Sequence, residues 1–158
     1  MNEQDIKDFK NAHRRAYFEC GFTWKSDMER MGKVESWNSL YPQMLAGGKL
    51  VGDCEDVALG IVDFCLAAGV TPELVGIARI KTQNSEARFF DHAVAVLLNT
   101  KGEVELVSDC NTPERVLRKI KGKPYDFISA KDLAEGNRAN AAAETGPGCG
   151  LSCSSRTS

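Results

Sequence analysis

Gly52-Asp53-Cys54-Glu55-Asp56-Val57-Ala58 opens the stretch, running on to Gly69, whose reading decides the fold. From Cys54 onward, Val57, Ala58, Ile61, Cys65 and Ala68 recur at three- and four-residue steps, the spacing of one stripe on an α-helix, and Gly69 follows as a stop. Asp53 stands in the N-cap position, where a carboxylate accepts from the unsatisfied N–H groups of the first turn. Asp56 adds negative charge where the helix dipole favours it. The pattern predicts a central helix beginning at Cys54, with a thiol at its N-terminus.

A thiol attacks a carbonyl as thiolate, and a helix N-terminus with a neighbouring histidine can lower a cysteine pKa from about 8.5 to as little as about 3.5. The histidine is sought downstream. Leu74 to Ile80 reads as a strand and Lys81 to Arg88 as a polar loop. Ala93 to Leu98 is an apolar run, Asn99-Thr100-Lys101-Gly102 supplies turn residues, and Val104 to Val107 leads back, so a β-hairpin is predicted. With Thr100 and Lys101 as a two-residue turn, Asn99 pairs with Gly102 and His92 faces Asp109, close enough for the carboxylate to hold the imidazole tautomer. With a three-residue loop and a bulge at Gly102, Cys110 faces His92 instead. The sequence leaves both registers open. An acyl-transfer site also needs oxyanion donors. The Cys54 N–H is one candidate, and Trp37, Asn38 and Gln43 are the others.

Around this centre, Ile6, Phe9, His13, Ala16, Tyr17 and Cys20 mark an amphipathic first helix ended by Gly21. A short helix is expected at Leu40 to Leu45, broken by Gly47-Gly48, with another from Pro113 to Lys119 and a last strand at Tyr125 to Ile128. Beyond Gly136 the chain turns to Ala, Asn, Gly, Ser and Thr, so residues 1–136 are read as one domain and 137–158 as a flexible tail. His13, Cys20 and Cys65 read as packing, and Trp24 and Trp37 as core or groove wall. Cys149 and Cys153 read as exposed thiols too isolated for a zinc site.

The 158 residues are 42% hydrophobic, enough for one domain with a core. A net charge of −2, from 20 basic and 22 acidic residues, gives no field for nucleic acid or an anionic membrane. The start, MNEQDIKDFK, has no apolar signal region, which makes the cytoplasm the expected compartment, or the periplasm if a leader has been removed. In the cytoplasm the six cysteines stay mostly reduced.

Gly52-Asp53-Cys54-Glu55-Asp56-x-Ala58, then Asp91-His92-Ala93-Val94, then Asp109 resembles the bacterial transglutaminase-like cysteine proteinases, in the order Cys, His, Asp. Phe22 with Asp27, Trp37 ahead of the Gly-containing lead-in, and Tyr125 to Leu133 as a closing segment extend the likeness over Phe22 to Leu133. Where that family reads Leu-Asp-Asn, this chain reads Ser108-Asp109-Cys110-Asn111. The resemblance implies an α+β fold with a papain-like/transglutaminase-like core, its nucleophile helix packed on an antiparallel sheet. It further implies hydrolysis of a protein or peptide substrate through a thioester, with Cys54 as nucleophile, His92 as base and Asp109 as the group orienting it. It also implies calcium at Asp53, Glu55 and Asp56, although capping and dipole compensation explain those acids equally well. No other cofactor is required. Transglutaminases and amidases share the thioester and differ in the acceptor, and a binding module on the same scaffold is the alternative of another class. A thiol redox or metal-binding protein lacks the support of a CxxC pair.

Overall fold

The computed structural model describes residues 2–24, 39–81, 92–121 and 123–134. Trp37 and Asn38, the predicted loop after Lys81, Asp91, and the tail with Cys149 and Cys153 lie outside the described residues. In chain order the elements are α1 (Glu3–Arg14), a π-helical turn (Arg15–Glu19), β1 (Thr23–Trp24), α2 (Tyr41–Ala46), β2 (Val51–Gly52), α3 (Cys54–Ala68), β3 (Val75–Lys81), β4 (His92–Leu98), β5 (Val104–Ser108) and β6 (Lys123–Ser129).

Four strands form an antiparallel sheet in the order β5-β4-β3-β6, with α3 laid across β4 and β3, an α+β arrangement. Strand alternation sorts the apolar side chains. Ala93, Ala95, Leu97, Val75, Ile77 and Leu106 join the α3 stripe of Val57, Ala58, Ile61 and Cys65 and the α1 residues Phe9 and Ala12 in the larger core. Ala78, Ile80, Val94, Val96 and Val107 pack on the other face with Leu117. Each large aliphatic or aromatic side chain buried here, such as Ile61, Leu97 or Phe9, contributes about 1.5–3 kcal/mol of transfer free energy.

The first helix starts on a capping box, the Asn2 side chain accepting from the Asp5 N–H while the Asp5 carboxylate accepts from the Asn2 N–H. Its last turn before Gly21 widens to π geometry. From that turn Arg15 donates to the carbonyls of Met44 at 2.8 Å and Leu45 at 3.4 Å, meeting the unsatisfied end of α2. Gly60, in the middle of α3, lets α2 approach: a Cβ there would lie 3.0 Å from Met44 Sδ and 3.3 Å from the Leu40 and Tyr41 backbone. The parallel pair β1–β2 sets Thr23 against Val51 and Trp24 against Gly52, just ahead of the α3 cap.

Three expectations are corrected. Residues Pro113 to Lys119 form turns rather than a helix. The reason lies at the sheet edge, where β5 exposes the Val107 backbone: Leu117 N–H donates to Val107 O at 2.8 Å, Val107 N–H donates to Leu117 O at 2.7 Å, and Leu117 becomes buried. Of the two expectations for Trp24, core or groove wall, its 55% exposure removes the first.

The third correction is the hairpin register, which follows neither expected alternative as far as His92. Asn99 N–H donates to Glu103 O at 2.8 Å and Gly102, at φ 82, closes a three-residue loop, so the turn is the bulged one. A second irregularity follows: Leu98 pairs with Val104 but Leu97 with Leu106, leaving Glu105 as an extra residue, and Val96 and Ala95 then pair with Val107 and Ser108. Carried one step on, this register sets Asp109 beside Val94, diagonal to His92.

Candidate active site

Cys54 is the first residue of α3. Asp53 caps it as expected, its Oδ1 accepting from the Asp56 N–H at 3.1 Å while Asp56 Oδ2 accepts from the Asp53 N–H at 3.3 Å. Leu40 N–H donates to the Asp56 carbonyl at 3.2 Å, tying the entry of α2 to the same turn. The Cys54 thiol is buried and donates to Glu55 Oε2 at 3.3 Å, and the Ala93 N–H bonds to its sulfur. Here the electrostatics reverse the sequence expectation. Burial pushes the thiol pKa well up, and the charges of Glu55, Cys110 and Asp53 push it further, outweighing the Ala93 N–H. In this arrangement the thiol is held protonated.

His92 and Asp109, both buried, meet through His92 Nε2–H donating to Asp109 Oδ1 at 2.7 Å. The same oxygen accepts from the Asn111 N–H at 2.9 Å and the Asp109 carbonyl accepts from the Thr112 N–H at 2.9 Å, so the carboxylate both orients the imidazole and closes a turn. Burial acts to raise the Asp109 pKa, but the His92 hydrogen bond and charge, the Asn111 N–H and Lys121 together hold it below the ordinary carboxylate value. The pairing survives the register correction because of parity. One extra residue in the hairpin would send Asp109 to the opposite face from His92, and two return it to the same face, within diagonal reach.

The structure thus brings His92 to Asp109 and Cys54 to the backbone of Ala93. Among the described residues no hydrogen bond joins the thiol to His92. Of the oxyanion candidates, Gln43 lies exposed on α2 without a polar contact to Cys54.

Sequence reading misses what stands behind Asp109. His13 Nε2–H donates to the Pro113 carbonyl at 2.9 Å, so Nδ1 accepts from the Ser108 hydroxyl at 2.6 Å. Tyr17, which also bonds Ser108, packs against His13 in a tilted arrangement with ring centroids 4.7 Å apart. Burial first, then the charges of Cys110, Asp109 and Cys54, raise the Tyr17 pKa, so its hydroxyl sits in the field of the site. Burial lowers the His13 pKa against the smaller opposing effects of Pro113 and Glu114, which agrees with a packing role. Only the apolar phase of His13 and Tyr17 on the first helix hints at this. Their partners lie on another element, and Ser108 is 95 residues from His13.

Calcium takes six to eight oxygen ligands. Asp53, Glu55 and Asp56 offer the right kind of atom, but Asp53 and Asp56 turn to each other's backbone and Glu55 to the thiol. The three do not converge. Among the described residues the group of three that does converge is His92, Asp109 and Cys110.

The fold and site together define an α+β protein with a cysteine at the start of a helix on an antiparallel sheet and a bonded histidine–aspartate pair on a hairpin of that sheet. Solved structures of LapG from Legionella pneumophila share the fold. The calcium-bound form aligns at TM-score 0.55 and 21% identity over 79% of this chain and 70% of that one. A second LapG structure aligns at 0.55 and 20% over 87% and 81%, and an EGTA-treated form at 0.54 and 18% over 89% and 85%. No protein-family model matches the sequence, and a search of curated proteins finds no match either.

Proposed function

We propose that the protein is a cysteine endopeptidase in which Cys54 attacks a peptide carbonyl, His92 carries the proton and Asp109 orients the imidazole. The observation that carries this reading is the buried His92 Nε2–Asp109 Oδ1 bond of 2.7 Å on the strand that packs against the helix begun by Cys54. An imidazole bonded through Nε2 keeps Nδ1 for a thiol, as a Cys-His-Asp triad requires. The likeness to LapG supports the fold on which this reading rests.

In this mechanism, attack follows a rearrangement that exchanges the Glu55 contact of the thiol for His92. The proton passes from sulfur to imidazole, the thiolate adds to the carbonyl carbon, and the imidazolium returns the proton to the leaving amine. Water, activated by the same histidine, then hydrolyses the thioester. The Cys54 N–H, which helix geometry leaves without an intrahelical acceptor, faces the oxyanion. Trp24, exposed and paired with Gly52, offers an aromatic surface for substrate beside the nucleophile. The thioester chemistry uses protein atoms alone, and protein or peptide is the substrate class.

Mapping of new protein N-termini in cells with the wild-type chain and with Cys54→Ala tests this. Termini that depend on Cys54 are expected, and their absence refutes a protease. Amine incorporation into glutamine in place of new termini would assign the thioester to a transglutaminase.

A second reading, a binding module without turnover, is favoured by the lack of a Cys54–His92 hydrogen bond among the described residues. It predicts that an electrophilic substrate mimic labels Cys54 no faster than the buried Cys20 and Cys65 at neutral pH.

A further inference from the structure

Cys110 has no part in the mechanism above, yet it stands against its base. One nitrogen of His92, one carboxylate oxygen of Asp109 and Cys110 Sγ all lie within 4.8 Å of one another. His92 and Asp109 are buried and Cys110 is half-buried, so the cluster reaches solvent through its cysteine. The position arises from the inserted cysteine in Ser108-Asp109-Cys110-Asn111, which puts sulfur next to the carboxylate in sequence and next to the imidazole in space.

We propose that His92, Asp109 and Cys110 form a binding site for zinc or a similar borderline-soft divalent cation, and that metal held there switches the hydrolase off by occupying its base.

The donor chemistry selects the ion. A nitrogen, a thiolate and one carboxylate oxygen suit zinc and disfavour calcium, which takes oxygen alone and more of it. Ligand atoms at zinc distances of about 2.0–2.3 Å sit roughly 3.5 Å apart around a tetrahedral ion, so closure from within 4.8 Å asks for side-chain movements of about 1 Å. Three protein ligands leave the fourth position for water, entering from the solvent side. On binding, the Cys110 S–H bond breaks and its proton goes to solvent, while the His92 proton moves from Nε2 to Nδ1, so that Nε2 gives its lone pair to the metal in place of its hydrogen bond to Asp109. Nδ1, the nitrogen that takes the Cys54 proton in catalysis, is then protonated and no longer a base. The metal site stands on geometry alone, whereas its inhibitory effect rests on the peptidase reading.

Cobalt(II) is the probe, added to the full-length reduced chain carrying Cys149→Ser and Cys153→Ser so that the tail thiols do not compete. One equivalent should give thiolate-to-cobalt charge-transfer absorption, discharged by one equivalent of zinc. Cys110→Ser should abolish that absorption and weaken zinc binding at least about tenfold, and His92→Gln should weaken it similarly with the thiol intact. Thermal unfolding checks that each variant is folded, and the two substitutions give independent readings should one fail. No charge-transfer band, or a band that survives Cys110→Ser, overturns the site. In peptidase assays zinc should suppress the activity of the parent and lose that effect in Cys110→Ser, each compared with its own metal-free rate. A bound metal that leaves activity unchanged overturns the inhibitory half. A bound metal with no peptidase activity under either condition leaves the metal site standing and removes the peptidase reading.

Discussion

The start of α3 and the β4–β5 hairpin supply the two halves of the candidate site, and they are built in opposite ways. Asp53, Cys54, Glu55 and Asp56 are consecutive, and one helical turn fixes their relations. His92 and Asp109 are 17 residues apart and meet across a hairpin whose two irregularities together keep them on one face. Their electrostatics also differ. The helix start crowds acids around a buried thiol and opposes its ionisation, while the hairpin gives Asp109 partners that favour its charge. The half that ionises readily is therefore assembled, and the half that must become an anion waits for a change in its surroundings.

The largest effect that could break this contrast lies in the hairpin. Asn is as good as Asp at closing the turn with the Asn111 N–H, but it cannot hold imidazole in the same tautomer or stabilise imidazolium. Asp109→Asn should therefore fold as the parent does and lose activity by a factor on the order of 10⁴, the scale seen when a serine-protease triad aspartate is changed this way. Peptidase rates at saturating substrate measure it, and a fall of less than about tenfold would reduce Asp109 to a turn residue. The pH dependence gives a second reading. Because the Asp109 pKa is lowered in the fold, its charge contributes stability above the ordinary carboxylate pKa, and that contribution is lost as pH falls through the lower folded value. The difference in Tm between parent and variant should accordingly close in acid.

How much of this is legible in the sequence follows the same division. The helix from Cys54 to Ala68, its Asp53 cap, the favourable charge of Asp56 and the stop at Gly69 are readable because their causes lie within four residues, as is the hairpin turn at Gly102. The pairing of His92 with Asp109 is expected from a register that the hairpin does not adopt, and it survives because two extra residues preserve parity. Nothing local to Glu105 announces the second bulge. Leu117 reads as helical because its neighbours permit a helix, while the exposed backbone of Val107 that claims it belongs to another strand. The raised thiol pKa escapes the sequence for a related reason. The helix start that lowers it is on display in the residues, but the covering that desolvates it comes from the sheet.

A smaller effect sharpens the nucleophile side. Glu55 is the nearest charge raising the Cys54 pKa and the acceptor of its thiol proton. Glu55→Gln removes the charge at nearly constant size and should move the alkylation profile of Cys54 toward lower pH. While the thiol stays mostly protonated, a tenfold larger acid dissociation constant means about tenfold more thiolate at neutral pH, so iodoacetamide should react several-fold to about tenfold faster. An unchanged profile would show that Glu55 does not set the thiol, and the comparison of the two halves would rest on desolvation more than on that acid.

The smallest effect separates the two roles of Asp53. Its Oδ1 caps α3, and its charge is a lesser contributor to the high thiol pKa. Asp53→Asn keeps a capping oxygen and drops the charge, whereas Asp53→Ala drops both. The alanine variant should lose about 1 kcal/mol in denaturant unfolding and the asparagine variant only a few tenths, set by the weaker dipole compensation. Both should make Cys54 slightly more reactive per folded molecule. If the asparagine variant loses as much stability as alanine, the Asp53 carboxylate does more than cap a helix, and a bound cation is the first alternative to test. Repeating the unfolding with and without calcium decides it, since a metal ligand would give the parent a calcium-dependent Tm that both variants lack.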